Sequence, residues 1–238
     1  VNMPKVDDAI DVDNGNWTFA ANDPVILSDH MRKSIPQYDK GHSLILEISE
    51  FFVKRESVIY DIGCSNGELT YQLAKKFKEK NAKAIGIDCE ENFITAAKSR
   101  YRAITNLKFA KEDAIDHAYK ASDLIILYYT LQFIDLSKRA NLLLNLYKSL
   151  KEGGGLLIFE KTRQNNSRTN DILNQLYTDF KLNNGYSGNE IVAKARSLKG
   201  VLEPLSTGQN IDLLENAGFS NATIIYKTLC FDGILAIK

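Results

Sequence analysis

Short apolar runs alternate with stretches of helically spaced apolar residues along most of this chain, and that alternation restricts the fold more than any other feature. Residues 58–62 form an apolar run that stops at Gly63 and read as a buried parallel strand, followed by helical spacing over 68–80. Strands are expected at 84–88, 107–110, 123–128 and 156–160, with helices over 92–103 and 137–150 between them. Strands separated by helices make βαβ units with right-handed crossovers, so the expected fold class is α/β: a doubly wound, mostly parallel seven-stranded sheet covered on both faces.

The remaining segments decorate that sheet. Residues 1–42 are irregular in pattern, contain Pro24 and Pro36, and space Trp17, Phe19 and Tyr38 among polar residues, which suggests an ordered N-terminal arm or lid. A helix is expected over 43–52. Gly153, Gly154 and Gly155 are read as a turn between helix and strand, and 165–204 as a mostly helical insertion. A helix over 209–217 is closed by Gly218 as its cap, and strands over 222–227 and 229–237 are joined by a tight turn. At 238 residues the whole chain is expected to form one domain.

Composition excludes several classes of partner. Lys plus Arg and Asp plus Glu are equal at 30 each, so net charge does not steer the chain to nucleic acid or an anionic membrane, and direct nucleic-acid binding is not expected. No apolar run approaches the roughly 20 residues that span a bilayer, and the polar N-terminus lacks a signal-peptide core. Cys64, Cys89 and Cys230 are odd in number and lack metal-ligand spacing, which fits a reduced, cytoplasmic protein. His30, His42 and His117 are scattered without a pairing rule, so no metal site is expected, and each is read as an ordinary surface or helix residue.

The chemistry concentrates at Asp61-Ile62-Gly63-Cys64-Ser65-Asn66-Gly67, where the first strong strand meets a helix. Glycine at this corner lets the backbone turn tightly and approach a ligand. The segment is not a dinucleotide fingerprint, which would need glycine at Ser65 and Glu68. It resembles the first motif of class I methyltransferases, D-x-G-x-G-x-G, with Ser65 in place of the middle glycine. Asp88 ends the next strand, where a carboxylate can accept hydrogen bonds from both hydroxyls of a ribose, and Asp113 follows the third strand, within reach of an adenine amino group. The same turn also matches G-x-S-x-G, so a serine esterase acting through Ser65 is the reading from another class; the only histidine downstream is His117, beside Asp116 in a polar loop.

A wider set of segments is similar to the carboxy-S-adenosyl-L-methionine synthase family: the glycine turn, Arg32 through Tyr38, Tyr129-Thr130-Leu131-Gln132-Phe133, Glu160-Lys161, and Asp179 through Ser187. The likeness runs from Trp17 to the last strand. It implies a class I methyltransferase fold holding S-adenosyl-L-methionine, a homodimer whose helical insertion helps build the site, and a reaction in which prephenate supplies carbon dioxide for tRNA wobble-uridine modification. Carried over by position, it makes Tyr38, Gly63, Cys64, Ser65, Asp88, Cys89, Asp113 and Ala114 cofactor contacts; Asp61, Gly67 and Tyr128 join them from the motif and the strand end.

Two positions depart from the family pattern. Tyr128 stands where an asparagine ends the fourth strand, and Ala193-Lys194-Ala195 stands where the insertion carries Gln-Lys-Arg. The arginine absent at Ala195 is the one the resemblance pairs with the product's carboxylate, and leaving that charge unpaired would cost about 3 to 5 kcal/mol. The expected activity is therefore methyl transfer from S-adenosyl-L-methionine to a small-molecule acceptor. Carboxy-S-adenosylmethionine synthesis, with Arg196 or another cation in the arginine's place, is the alternative, and cofactor binding without catalysis is a third. Tyr128, Tyr129, Lys161, Tyr186 and Arg196 are the candidates for positioning the acceptor, while Trp17 and Phe19 are assigned no chemical role.

Overall fold

The computed structural model describes residues 5–6, 10–11, 15, 17, 19 and 24–238. Seven strands form one sheet: β3 (Val58–Ile62), β4 (Lys83–Asp88), β5 (Leu107–Lys111), β6 (Ser122–Tyr128), β7 (Leu150–Lys161), β8 (Asn221–Thr228) and β9 (Phe231–Ile237), in the order β5-β4-β3-β6-β7-β9-β8. All pair in parallel except β9, which runs antiparallel to both β7 and β8. Two short strands, β1 (Lys5–Val6) and β2 (Ile10–Asp11), pair separately.

Strand order reverses on either side of β3, and that switch point opens a crevice at the carboxyl ends of β3, β4 and β6. The central strands are apolar throughout because both faces are covered. On β6, Leu124 and Ile126 join one core cluster while Ile125 and Leu127 join the other. The first face is covered by α2 (Tyr38–Ser49) and α3 (Glu68–Lys76), through Ile45, Leu69 and Leu73. The opposite face is covered by α5 (Leu136–Ser149) and α8 (Thr207–Asn216), through Leu142, Leu146 and Leu214. A further helix, α4 (Glu91–Arg100), links β4 to β5 and buries Phe93, Ile94 and Ala97.

The expected sheet, its alternation and the hairpin of β8 and β9 are all present, with Leu229 at φ 48° in the connecting turn and Gly218 at φ 114° closing α8. Three local expectations change. The arm read as irregular holds a helix, α1 (Pro24–Ser34), and α2 begins at Tyr38, within the expected arm. Proline starts the first helix readily, and Pro36 with Gln37 at φ 56° forms the corner between the two. Residues 1–4, 7–9, 12–14, 16, 18 and 20–23 of the arm lie outside the described residues. Third, the three glycines are not a turn: β7 starts directly after α5, and Gly153, at φ 74°, sits in a bulge where the register with β6 shifts.

The insertion is helical, as α6 (Ser167–Asn183) and α7 (Gly188–Ser197). Trp17, Tyr186 and Ala193 pack together, and the backbone N–H of Trp17 donates to the Ser197 carbonyl at 3.2 Å, tying the N-terminal segment to α7. On the other side Arg32 of α1 donates to Glu68 at 2.7 and 2.9 Å and to Asp39 at 3.0 Å, and Asn66 donates to Ser28 at 2.6 Å. These bonds hold α1 over the turn that leads into α3.

Candidate active site

A cleft of about 440 Å³ opens at the switch point, walled by the ends of β3, β4 and β6 and roofed by α1 and α2. Its floor is the glycine turn. Gly63, at φ 72°, has no room for a side chain, because a Cβ would come within 2.2 Å of the Thr130 hydroxyl, which itself donates to the Ile62 carbonyl at 2.8 Å. Ser65 is left-handed too, at φ 50°, so a position where the methyltransferase pattern has glycine keeps the glycine conformation with a serine in it. Gly67, at φ 76°, does not line the cleft; a Cβ there would meet the Phe109 ring at 2.4 Å, and its role is to let α3 start close to β5.

The acids expected at the strand ends line this cleft. Asp88 accepts from the backbone N–H of Ser65 at 2.8 Å and of Glu90 at 3.0 Å, so it locks the turn to β4 and keeps further lone pairs for a ligand. Burial raises its pKa. Asp113 is exposed and accepts from the Ile115 N–H at 2.8 Å, with Ala114 and Cys89 beside it on the cleft wall. Asp61 is buried under the turn, takes a hydrogen bond from Thr70 at 2.6 Å and is pushed up to about 7 by burial. Cys64 also lines the cleft, and burial pushes its thiol up.

At the other end the cleft is aromatic. Tyr38, His42, Tyr128 and Tyr129 converge, with Tyr38 and Tyr129 stacked at 6.2 Å and the Tyr128 hydroxyl donating to the Tyr38 carbonyl at 2.5 Å. Gly41 makes room for that hydroxyl, since a Cβ would lie 2.2 Å from it. Burial raises the phenols of Tyr38, Tyr128 and Tyr129 far above the ordinary tyrosine range, so they serve as neutral walls and donors rather than bases. Tyr129 itself holds φ at 60°, a strained conformation for an aromatic residue at the end of a strand.

The residue that sequence reading missed is His42. It is buried, it faces the cleft, and its Nδ1 has no hydrogen-bond partner among the described residues. Burial lowers its pKa to about 4, so at neutral pH it is an uncharged imidazole on the cleft wall.

Three of the sequence candidates lie elsewhere. Lys161 and Tyr186 line a second, smaller cavity beside the cleft. Arg196 is exposed on α7 and lines neither cavity. The turn of α7 that faces inward carries Ala193, Lys194 and Ser197, and Lys194, set over the Trp17 ring at 4.0 Å and in contact with His30, lines the second cavity. The esterase geometry is missing: among the described residues no histidine is bonded to Ser65, and His117 is bonded to Glu112 instead.

Residues 54–218 match the family described as methyltransferase domain. The carboxy-S-adenosyl-L-methionine synthase of Staphylococcus epidermidis is 34% identical over 223 residues, which is 93% of this chain and 97% of that protein. The chain belongs to the carboxy-S-adenosyl-L-methionine synthase family. The synthase of Nautilia profundicola is also 34% identical, covering 90% of this chain and 91% of its own. Among solved structures, human N-acetylserotonin methyltransferase in complex with SAM superposes with a TM-score of 0.63 at 20% identity, over 91% of this chain and 56% of that one. A SAM-dependent methyltransferase from Aquifex aeolicus gives 0.59 at 18% identity, over 91% and 98%.

Membership in the carboxy-S-adenosyl-L-methionine synthase family makes this chain an S-adenosylmethionine-dependent transferase. The cleft fits that cosubstrate: a tight backbone turn with no room for a side chain at Gly63, and carboxylates at two successive strand ends. Among the described residues no helix is long and apolar enough to cross a membrane, and no group of His, Cys, Asp and Glu is placed to hold a metal ion.

Proposed function

We propose that this chain transfers the methyl group of S-adenosyl-L-methionine to a small-molecule acceptor carrying a dissociable proton. The observation that carries this reading is the makeup of the cleft's aromatic end. It is built from Tyr38, His42, Tyr128, Tyr129, Met31 and Phe133, and Lys138 is the only lysine or arginine lining the whole cleft among the described residues. Lys138 is exposed at the start of α5. A carboxylate on the reacting carbon would thus lack the bidentate partner it needs, whereas a neutral acceptor would not.

S-adenosyl-L-methionine supplies an already activated sulfonium-bound methyl group, so the protein's contribution is placement. On this reading Asp88 and Asp113 take the ribose and adenine, and the turn at Gly63, Cys64 and Ser65 follows the backbone of the methionine part. Tyr38, Tyr128 and Tyr129 exclude water at the methyl group. The His42 imidazole, uncharged at neutral pH, accepts a hydrogen bond from the acceptor's hydroxyl or amine and orients its lone pair, and the proton that the acceptor loses on methylation passes to solvent.

A second reading is synthesis of carboxy-S-adenosyl-L-methionine from prephenate, favoured by relatives of that name that match nearly end to end at 34% identity. It requires a cation at the reacting carbon, and within one chain Arg196 lines neither cavity. We also infer a homodimer. Ile172, Leu176, Leu182 and Val192 are exposed on α6 and α7, and α6 buries none of its residues within the chain, which suits a helix pair that packs on a second copy. A cytoplasmic location is the reading that fits free cysteines at 64, 89 and 230.

The test is product analysis after incubation with isotopically labelled S-adenosyl-L-methionine and a panel of phenols, amines and carboxylates, with and without prephenate. Labelled methyl on an acceptor supports the proposal, and labelled carboxy-S-adenosylmethionine supports the second reading.

A further inference from the structure

The second cavity, about 130 Å³, shares only Phe19, Met31 and Phe133 with the cleft and lies between β7, α1, α6 and α7. Much of its wall is apolar, through Ile35, Leu202, Phe231 and the partition residues. Two lysines reach into it from different elements. Lys161, at the end of β7, holds its ammonium 4.8 Å from the centre of the Tyr177 ring, and Lys181, one helical turn beyond Tyr177 on α6, holds its own at 4.4 Å.

Two like charges thus share one ring, and neither ammonium has a carboxylate or hydrogen-bond partner among the described residues. The ring faces offset only part of the cost of burying them. Burial lowers the pKa of both; the neighbouring Lys161 charge lowers Lys181 further, to about 8, the Arg163 charge lowers Lys161, and the Cys230 thiol, itself raised by burial, faces both ammoniums. The other charged residues lining the cavity are engaged: Glu190 accepts from the Ser187 N–H at 2.6 Å as the cap of α7, and Lys194 lies over Trp17.

We propose that this cavity binds the carboxylate of a small acceptor with an apolar body, held between Lys161 and Lys181 so that its other end passes the partition of Phe19, Met31 and Phe133 into the cleft. An anion is the group that two unpaired ammoniums at one ring lack, and a carboxylate on a hydrocarbon body matches the apolar wall. The cavity's size limits the occupant to a small molecule. The delivery of the acceptor to the methyl group rests on the methyl-transfer reading; the anion site does not.

Trp17 is the chain's single tryptophan and lines this cavity, so its fluorescence reports occupancy directly. Phenylacetate is titrated against its uncharged isostere phenylacetamide, with S-adenosyl-L-methionine binding followed separately by equilibrium dialysis. The expected result is a saturable phenylacetate signal, at least tenfold tighter than the amide, that weakens as pH rises through about 8 and is lost at least tenfold in Lys181→Met and Lys161→Met. Equal binding of acid and amide, or acid binding unchanged in both variants, overturns the site. The pH series on the unaltered protein keeps the test intact if a variant fails to fold. Charge-selective phenylacetate binding without any methylated product leaves the anion site standing and removes the methyl-transfer reading; methyl transfer without acid selectivity does the reverse.

Discussion

The rings of His42 and Tyr128 lie 4.7 Å apart, and this contact joins α2 to the end of β6 at the aromatic end of the cleft. One ring comes from a helix that packs over the sheet and the other from a central strand, and the imidazole Nδ1 is buried without a hydrogen-bond partner among the described residues. A buried polar atom without a partner costs about 1 to 3 kcal/mol.

Replacing that imidazole separates stability from activity. His42→Leu should leave S-adenosyl-L-methionine binding unchanged, raise stability by about 1 kcal/mol because an unpaired polar atom disappears, and lower kcat about 100-fold for acceptors that carry a proton. Urea denaturation, dialysis and steady-state kinetics read the three effects. A loss of stability with unchanged kcat would mean that His42 is only packing.

Gly41 is required by the Tyr128 hydroxyl, which a Cβ at 41 would approach to 2.2 Å. Gly41→Ala should therefore destabilise by about 1 to 3 kcal/mol, as overpacking does. Adding Tyr128→Phe removes the hydroxyl and should recover part of the loss, although the ring carbons at 3.0 Å stay close. Thermal melts of the two variants check the coupling; equal losses would show that the hydroxyl is not the obstacle.

Stability should fall as pH rises from about 6.5 to 8. Asp61 is raised from 3.8 to about 7 and Glu160 from 4.5 to about 8, both chiefly by burial, so the folded state holds protons that the unfolded chain has released and loses that advantage as pH climbs through these values. His30 and His42, lowered from 6.5 to about 2 and about 4 by burial, act the opposite way, but only below about 6.5. The two pairs roughly cancel between about 4.5 and 6.5, and the carboxyls act alone above. The expected decline is on the order of 2 kcal/mol, read from urea midpoints across the range, and Glu160→Gln should remove most of it.

Ser65 occupies a left-handed conformation that glycine adopts freely. Ser65→Gly should change stability by less than about 1 kcal/mol, relief of backbone strain being offset by greater freedom in the unfolded chain, and should leave methyl transfer intact. Abolished activity in this variant would revive a nucleophilic role for the serine hydroxyl.

Much of this architecture is written in local pattern. The central strands show as apolar runs because both faces of the sheet are covered, and the glycine turn with Asp88 and Asp113 marks the crevice because those positions follow from strand order. The helix α1 escaped notice because it is short, mostly polar and placed by the Arg32 bonds to Glu68 and Asp39 rather than by an apolar stripe. His42 was read as ordinary because its isolation depends on Tyr128, a residue distant in sequence. The placement of Arg196 turned on the rotation of α7, whose buried positions, Ala193 and Ser197, are too small and too few to show in the pattern. Lys161 was singled out at its strand end, but its pairing with Lys181 on one tyrosine ring exists only once α6 is laid against β7.

The measurement closest to the central claim is mass spectrometry of the small-molecule products formed from methyl-labelled S-adenosyl-L-methionine in the presence of both prephenate and the acceptor panel. The account predicts S-adenosylhomocysteine with the label on an acceptor and no carboxy-S-adenosylmethionine. Label retained in carboxy-S-adenosylmethionine, dependent on prephenate, would contradict it.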